Sequence, residues 1–233
     1  MCGRYATTRS EADLSQLFDA PSVTEALGPS WNVAPTDPVP VVRISKRHDG
    51  RVVDTARWGL VPPWADDPRA GARMINARAE TVATSRAFAS SFERRRCLVP
   101  ADGWFEWVRD GGRKQAYYLT PRDGSVLAFA GIWTMWHEQL LTCSVLTTAA
   151  LGGLAEVHDR MPLILPRERW DDWLATGGDG ASLLQPMTPA ELAAIEVRPV
   201  RPDVGNVRNN GPDLLTAAEP APEPAPAAET TLF

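Results

Sequence analysis

The second residue of the chain is a cysteine, in the string Met1-Cys2-Gly3-Arg4. A small residue at this position is expected to let an exopeptidase remove Met1 and expose Cys2 as the amino terminus. An N-terminal cysteine carries a thiol and an α-amine on adjacent carbons. The α-amine titrates at about 7.7–8.0, against about 10.4 for a lysine, so near neutral pH a substantial minority of it is unprotonated. A neutral amine attacks an aldehyde to give a Schiff base. The neighbouring thiol can then close onto the imine carbon as a five-membered thiazolidine, which hydrolyses far more slowly than an open imine.

Two further residues offer proton chemistry. Glu106 stands among aromatics, in Trp104-Phe105-Glu106-Trp107. On a strand such a run alternates faces, and a carboxylate with few polar neighbours titrates high, which suits a proton shuttle. The plainer alternative is a glutamate on a solvated strand face. His158 is one of only three histidines, and an ordinary imidazole, near 6.5, gives or takes a proton at working pH. A structural or exposed histidine is the competing reading. Asp159 either orients it or belongs to a turn. Cys2 itself has two rivals: a small residue tolerated at a terminus, and the nucleophile of class II amidotransferase glutaminase domains, which also begin Met-Cys-Gly.

Composition narrows the field. The chain has 233 residues, 44% hydrophobic and 23% charged, which are values of an ordinary globular protein. No stretch approaches the ~18 apolar residues of a membrane span. The first residues lack a basic start followed by an apolar run, which argues for the cytoplasm. Three distant cysteines form neither a disulfide framework nor, with the histidines, a zinc-ligand spacing. No metal or organic cofactor is expected. The net charge of −5 does not advertise a nucleic-acid ligand, but Glu219, Glu223 and Glu229 sit at the far end, and Lys46 and Lys114 are the only lysines. The basic residues are therefore nearly all arginine, the better bidentate phosphate ligand.

The elements that must position these residues are mostly strands. Residues 39–45, 52–62, 96–108, 116–121, 126–136 and 140–150 are rich in β-branched and aromatic residues, punctuated by Gly, Pro and Asp. Helices are expected at 8–19, 84–95, 166–175 and 188–195, the last with Thr188 as N-cap and Pro189 at the first helical position. Strands clustered in mid-chain without a βαβ rhythm indicate an α+β fold: a single domain, 1–216, with a mostly antiparallel, curled barrel-like sheet flanked by short helices. Residues 217–233, AAEPAPEPAPAAETTLF, alternate proline with alanine and glutamate and are read as a disordered tail.

Six strings occur in sequence: MCGRYA (1–6), WNVAPT (31–36), RWGLVPPWA (57–65) followed by INARAET (75–81), ADGWFEW (101–107), VHDRMPLIL (157–165) after TTAA (147–150), and GNVRNNG (205–211). Together they resemble the SRAP family (SOS response-associated peptidases, also called abasic-site processing proteins), from residue 2 to about 215. The amidotransferase reading accounts for none of the later strings. The resemblance implies a sensor of abasic sites in single-stranded DNA or at junctions. The opened sugar's aldehyde is trapped by Cys2 as a thiazolidine crosslink that shields the site from strand cleavage.

The same resemblance implies roles. Cys2, Asn76, Glu106 and His158 form the catalytic set, with Asn76 hydrogen-bonding the thiazolidine or the opened sugar. Arg4 and Arg78 are implied as phosphate clamps, with Arg86 and Arg160 as further candidates. Pro35 and Trp64 meet bases beside the lesion, although many family members carry a second aromatic where this chain has Ala65. Asn32 supports the pocket. Two other activities stay in view: a thiol peptidase using Cys2 with His158, and a non-covalent single-stranded DNA-binding module. The terminal Leu232-Phe233 on an acidic tether is similar to sliding-clamp-binding peptides, with Glu229 in place of the usual glutamine. A monomer is expected.

Overall fold

A computed structural model describes residues 2–110, 113–176 and 180–218. The tail beyond Ala218, with Leu232 and Phe233, lies outside the described residues. In chain order the elements are β1 (Tyr5–Thr7), α1 (Glu11–Phe18), β2 (Ser30–Val33), β3 (Pro38–Ser45), β4 (Gly50–Trp58), β5 (Asn76–Arg78), α2 (Ala89–Arg94), β6 (Arg96–Ala101), β7 (Gly103–Asp110), β8 (Arg113–Pro121), β9 (Leu127–Trp136), β10 (Leu140–Ala149), β11 (Arg160–Pro162), α3 (Trp170–Leu174), α4 (Pro189–Leu192) and β12 (Ile195–Val200). The fold is α+β, as the clustering of strand signals indicates. No helix among the described residues is long and apolar enough to cross a membrane.

The expected barrel-like sheet is present, and a second sheet accompanies it. Five strands close a small barrel in the order β10-β4-β3-β6-β9, with β9 returning to β10. β5 and β11 are hung on the second half of β10. The other sheet is antiparallel throughout, in the order β12-β8-β7-β1-β2.

Period-two patterning explains the layers. Val39 and Val41 of β3, Trp58 of β4, Cys97 and Val99 of β6, Phe129 of β9 and Cys143 of β10 share one core with Tyr5, Trp104 and Leu119 of the second sheet. The alternate residues, Val42, Val53, Leu98, Ile132 and Leu146, face outward onto Leu14 and Phe18 of α1 and Trp170 and Trp173 of α3. On the far side of the second sheet, Phe105 and Tyr118 are covered by Val204 and Leu214.

The helices are shorter than their sequence signals. Ser10 caps α1 through a reciprocal box with Asp13, and Thr188 caps α4 through the same box with Glu191. The segment expected as helix from 84 is turns until Ala89. The Thr84 hydroxyl donates to the Thr81 carbonyl, a local bond that competes with helix. Helix 188–195 stops at Leu192, and Ile195 and Val197, with Val200, pair with β8 as an edge strand not foreseen from sequence.

The run 96–108 is two strands, not one. Asp102 leaves the ladder and accepts hydrogen bonds from the Thr8 amide and hydroxyl, at 2.6 and 2.7 Å. Gly103 then passes so close to β8 that a Cβ there would strike the Leu119 carbonyl. That corner sends β6 to the barrel and β7 to the second sheet, and so brings Glu106 to the space between them.

A second close approach anchors the loop that carries Trp64. Gly59 has φ of 133°, and a Cβ on Gly71 would collide with the Gly59 carbonyl and with Val61. Overpacking of this kind costs about 1–3 kcal/mol. Gly71→Ala is therefore expected to lower the urea midpoint by a corresponding amount, with m unchanged. An unaltered midpoint would mean that the loop base is not held by this contact.

Candidate active site

The catalytic candidates reach one place from four elements. Cys2 lies just before β1, which is paired with β7. The Phe105 amide donates to the Arg4 carbonyl at 2.9 Å, so pairing continues toward the chain start. Glu106 shares β7's inner face with Trp104 and is 3% exposed. Asn76 opens β5, which runs parallel to β10. His158 precedes β11, which pairs with the end of the same strand. β10 is thus the common support of Asn76 and His158, and the second sheet supports Cys2 and Glu106.

Asn76 Nδ2 donates to the Cys2 carbonyl at 2.7 Å. Its Oδ1 is buried with no hydrogen-bond partner among the described residues, an acceptor directed into the site. Burial pushes the Glu106 carboxyl up to about 7, and the charge of Asp159 acts in the same direction. Burial also lifts the Cys2 thiol well above its usual range, with the Glu106 charge adding to the rise. Cys2 therefore sits in this pocket as a thiol. Burial lowers His158 from its usual value. Its Nδ1 lies 2.8 Å from an Asp159 carboxylate oxygen and 2.9 Å from the Arg160 amide nitrogen.

The residues implied for DNA fall into two groups. Trp64 is 53% exposed, in a turn, with the Arg86 guanidinium 5.4 Å over its ring. The Trp136 indole holds that loop by donating to the Ala65 carbonyl at 2.8 Å. Arg78 is exposed, and its guanidinium makes no hydrogen bond or ion pair among the described residues. Pro35 lies in a turn closed by the Asp37 amide on the Ala34 carbonyl, with Thr36 at φ of 77°. That is a left-handed conformation costly for a β-branched residue.

Arg4 and Arg160 are instead engaged by the protein. Arg4 donates to Asn32 Oδ1 and to the Val204 carbonyl, both at 2.8 Å. Arg160 grips Glu80 with two nitrogens, at 2.6 and 2.9 Å. The Nδ2 of Asn32 donates to the carbonyls of Asn206 and Asn209, in the GNVRNNG string. Sequence reasoning missed Glu80 and Trp136. The signal available for Glu80 was a carboxylate four residues after Asn76, facing an arginine two residues after His158.

A groove of about 490 Å³ runs beside His158, lined by Val108, Tyr117, Leu151, Leu154 and Val157 among others. No group of three or more His, Cys, Asp or Glu among the described residues could hold a metal ion.

The family profile described as SOS response associated peptidase (SRAP) matches residues 1–207. The chain belongs to the SRAP family. Abasic site processing protein YoaM of Bacillus subtilis (strain 168) is 33% identical over 225 residues, covering 93% of this chain and 98% of that protein. Abasic site processing protein YedK of Escherichia coli (strain K12) is 34% identical over 226 residues, covering 92% and 99%. Among solved structures, a Bacteroides thetaiotaomicron protein superposes with a TM-score of 0.81 at 23% identity, over 94% of this chain and 100% of that one. That likeness shows the fold alone: a five-strand barrel, a second antiparallel sheet and short helices.

Proposed function

We propose that this SRAP protein processes abasic sites in single-stranded DNA or at junctions by forming a covalent thiazolidine between Cys2 and the opened sugar. The reading is carried by one observation: Cys2, its backbone held by Asn76, is buried beside a carboxyl that titrates near neutrality. After Met1 is removed, Glu106 as carboxylate takes a proton from the α-amine. As acid it protonates the sugar ring oxygen while the ring C–O bond breaks and the anomeric hydroxyl releases its proton to solvent, exposing the aldehyde. The amine adds to the aldehyde carbon and water leaves, giving the imine. The thiol then adds to the imine carbon, and its proton passes to nitrogen. His158 assists these proton transfers, and Asn76 Oδ1 accepts from the sugar hydroxyl or the thiazolidine N–H.

For the flanking strand, Arg78 and Arg86 make the phosphate contacts. Among the described residues Arg4 and Arg160 already hold protein acceptors, Arg4 through Nη1 alone and Arg160 through both terminal nitrogens. Trp64 stacks on or wedges against a base, with Pro35 on the other side. A thiol peptidase working through a Cys2–His158 thiolate is the poorer fit, because burial raises the thiol and lowers the imidazole. No metal or cofactor enters the scheme.

The direct test incubates the Met1-processed protein with an oligonucleotide holding one abasic site and separates the products on a denaturing gel. A band shifted by the mass of the protein is expected, absent with intact DNA. Turnover of a peptide with no such band would favour the peptidase, and reversible binding alone would favour a non-covalent module.

A further inference from the structure

His158 Nδ1 faces two partners with opposite demands. The Arg160 amide, 2.9 Å away, needs a lone pair on that nitrogen. The Asp159 carboxylate, 2.8 Å away, needs a proton on it. One nitrogen cannot satisfy both. The ring proton therefore sits according to which partner is held more firmly.

Asp159 is the loose partner, with its side chain 84% exposed. Arg160 is the fixed one. Its side chain is 14% exposed and forms a two-pronged pair with Glu80. The same guanidinium donates to the Thr147 carbonyl at 2.6 Å, which also receives the Ala79 amide at 2.9 Å. Thr147 belongs to β10, where it stands opposite Arg78 of β5 and Pro162 of β11. Glu80 thus ties the turn after Asn76 to the strand after His158 across their common support.

We infer that Glu80, acting through Arg160, is a positioning residue that keeps neutral His158 in the tautomer with a bare Nδ1 and its proton on Nε2. The inference rests on the reading of His158 as a proton carrier in adduct formation. There the tautomer matters, because Nε2–H is then the proton available for donation. Burial opposes protonation of the ring, as does the Arg160 charge, while the Asp159 charge favours it.

The test needs no DNA. In the full chain labelled with 15N, imidazole shifts report the protonation of each ring nitrogen as pH is varied, with His158 assigned by comparison with His158→Gln. The wild type is expected to show a protonated Nε2 and a bare Nδ1 above the midpoint. In Glu80→Gln, Arg160 loses its charged partner and Asp159 captures Nδ1. The protonated-Nδ1 form then appears beside the bare-Nδ1 form. Arg160→Lys, which keeps the charge but loses the fork, should do the same. Glu80→Asp should restore the wild-type tautomer. Adding Asp159→Asn to Glu80→Gln should remove the protonated-Nδ1 form again.

An unchanged tautomer in folded Glu80→Gln and Arg160→Lys would overturn the role of Glu80. So would a protonated-Nδ1 form that persists without Asp159. A wild-type protein with the expected tautomer but no adduct on abasic DNA would instead fail the functional reading and leave this one standing.

Discussion

With Cys2 replaced by alanine, the band that survives denaturation on abasic DNA disappears, yet borohydride still traps a protein–DNA species. The expectation separates the two groups that Cys2 brings. Alanine is small, so Met1 is still removed and a free α-amine remains at position 2. An unperturbed α-amine is about one-tenth neutral at pH 7, where a lysine is neutral in only about one molecule in a thousand. It therefore still forms the imine, which reduction fixes. What is lost is the thiol that closes the ring. The buried thiol does not ionise at neutral pH, so its part comes second, once the imine carbon is beside it. A trapped band from the wild type but none from Cys2→Ala would mean that the amine is not the first nucleophile. An undiminished stable band from Cys2→Ala would sink the thiazolidine altogether. A chain that retains Met1 provides the complementary control. It has its amine one residue away from the thiol, where no five-membered ring can form, and should also give no stable band.

Much of this site could be read from the chain before folding. The alternation through Trp104, Phe105, Glu106 and Trp107 put Glu106 on one face of a strand with Trp104, because period two is a property of the strand itself. Aromatics on both faces left burial or solvation of that face open. The cap at Thr188 was legible for a like reason: donor and acceptor lie three residues apart. What could not be read depends on partners far along the chain. The corner at Asp102 exists because Thr8 and Leu119 meet it. β12 is a strand because β8 offers it an edge. Arg160 looked like its fellow arginines until Glu80, eighty residues earlier, was seen in its grip. An arginine's type says that it can hold a carboxylate or a phosphate, and only the folded neighbourhood says which.

Glu106→Gln should make the protein more stable and nearly inert, a pairing of effects that a purely structural glutamate would not produce. The carboxyl is raised from 4.5 to about 7 by burial, so the fold disfavours its ionised form. For a carboxyl raised in this way, the stability it allows is complete below its unfolded value and is lost as pH climbs through the folded one. The window of loss therefore runs from about 4.5 to about 7. At 1.36 kcal/mol per unit, the loss amounts to roughly 3 kcal/mol above that window. Glutamine keeps the shape and has no proton to lose. Thermal melts of the two proteins should thus lie close together at pH 4.5 and diverge toward pH 8, with the variant the higher. Adduct formation should move in the opposite sense. Removing a positioned proton carrier slows a reaction by about 10²–10⁴-fold. In the wild type, the acid form is needed at the ring oxygen and the base form at the amine. The rate should accordingly rise and fall about neutrality, and the residual rate of the variant should lose that shape. Parallel melts across the pH range would contradict the buried carboxyl, and an unaltered rate profile would remove Glu106 from the chemistry. Because the two measurements are independent, the first can hold while the second fails. In that case Glu106 would be buried at Cys2 only to keep the thiol protonated, and the proton needed for ring opening would have to come from His158.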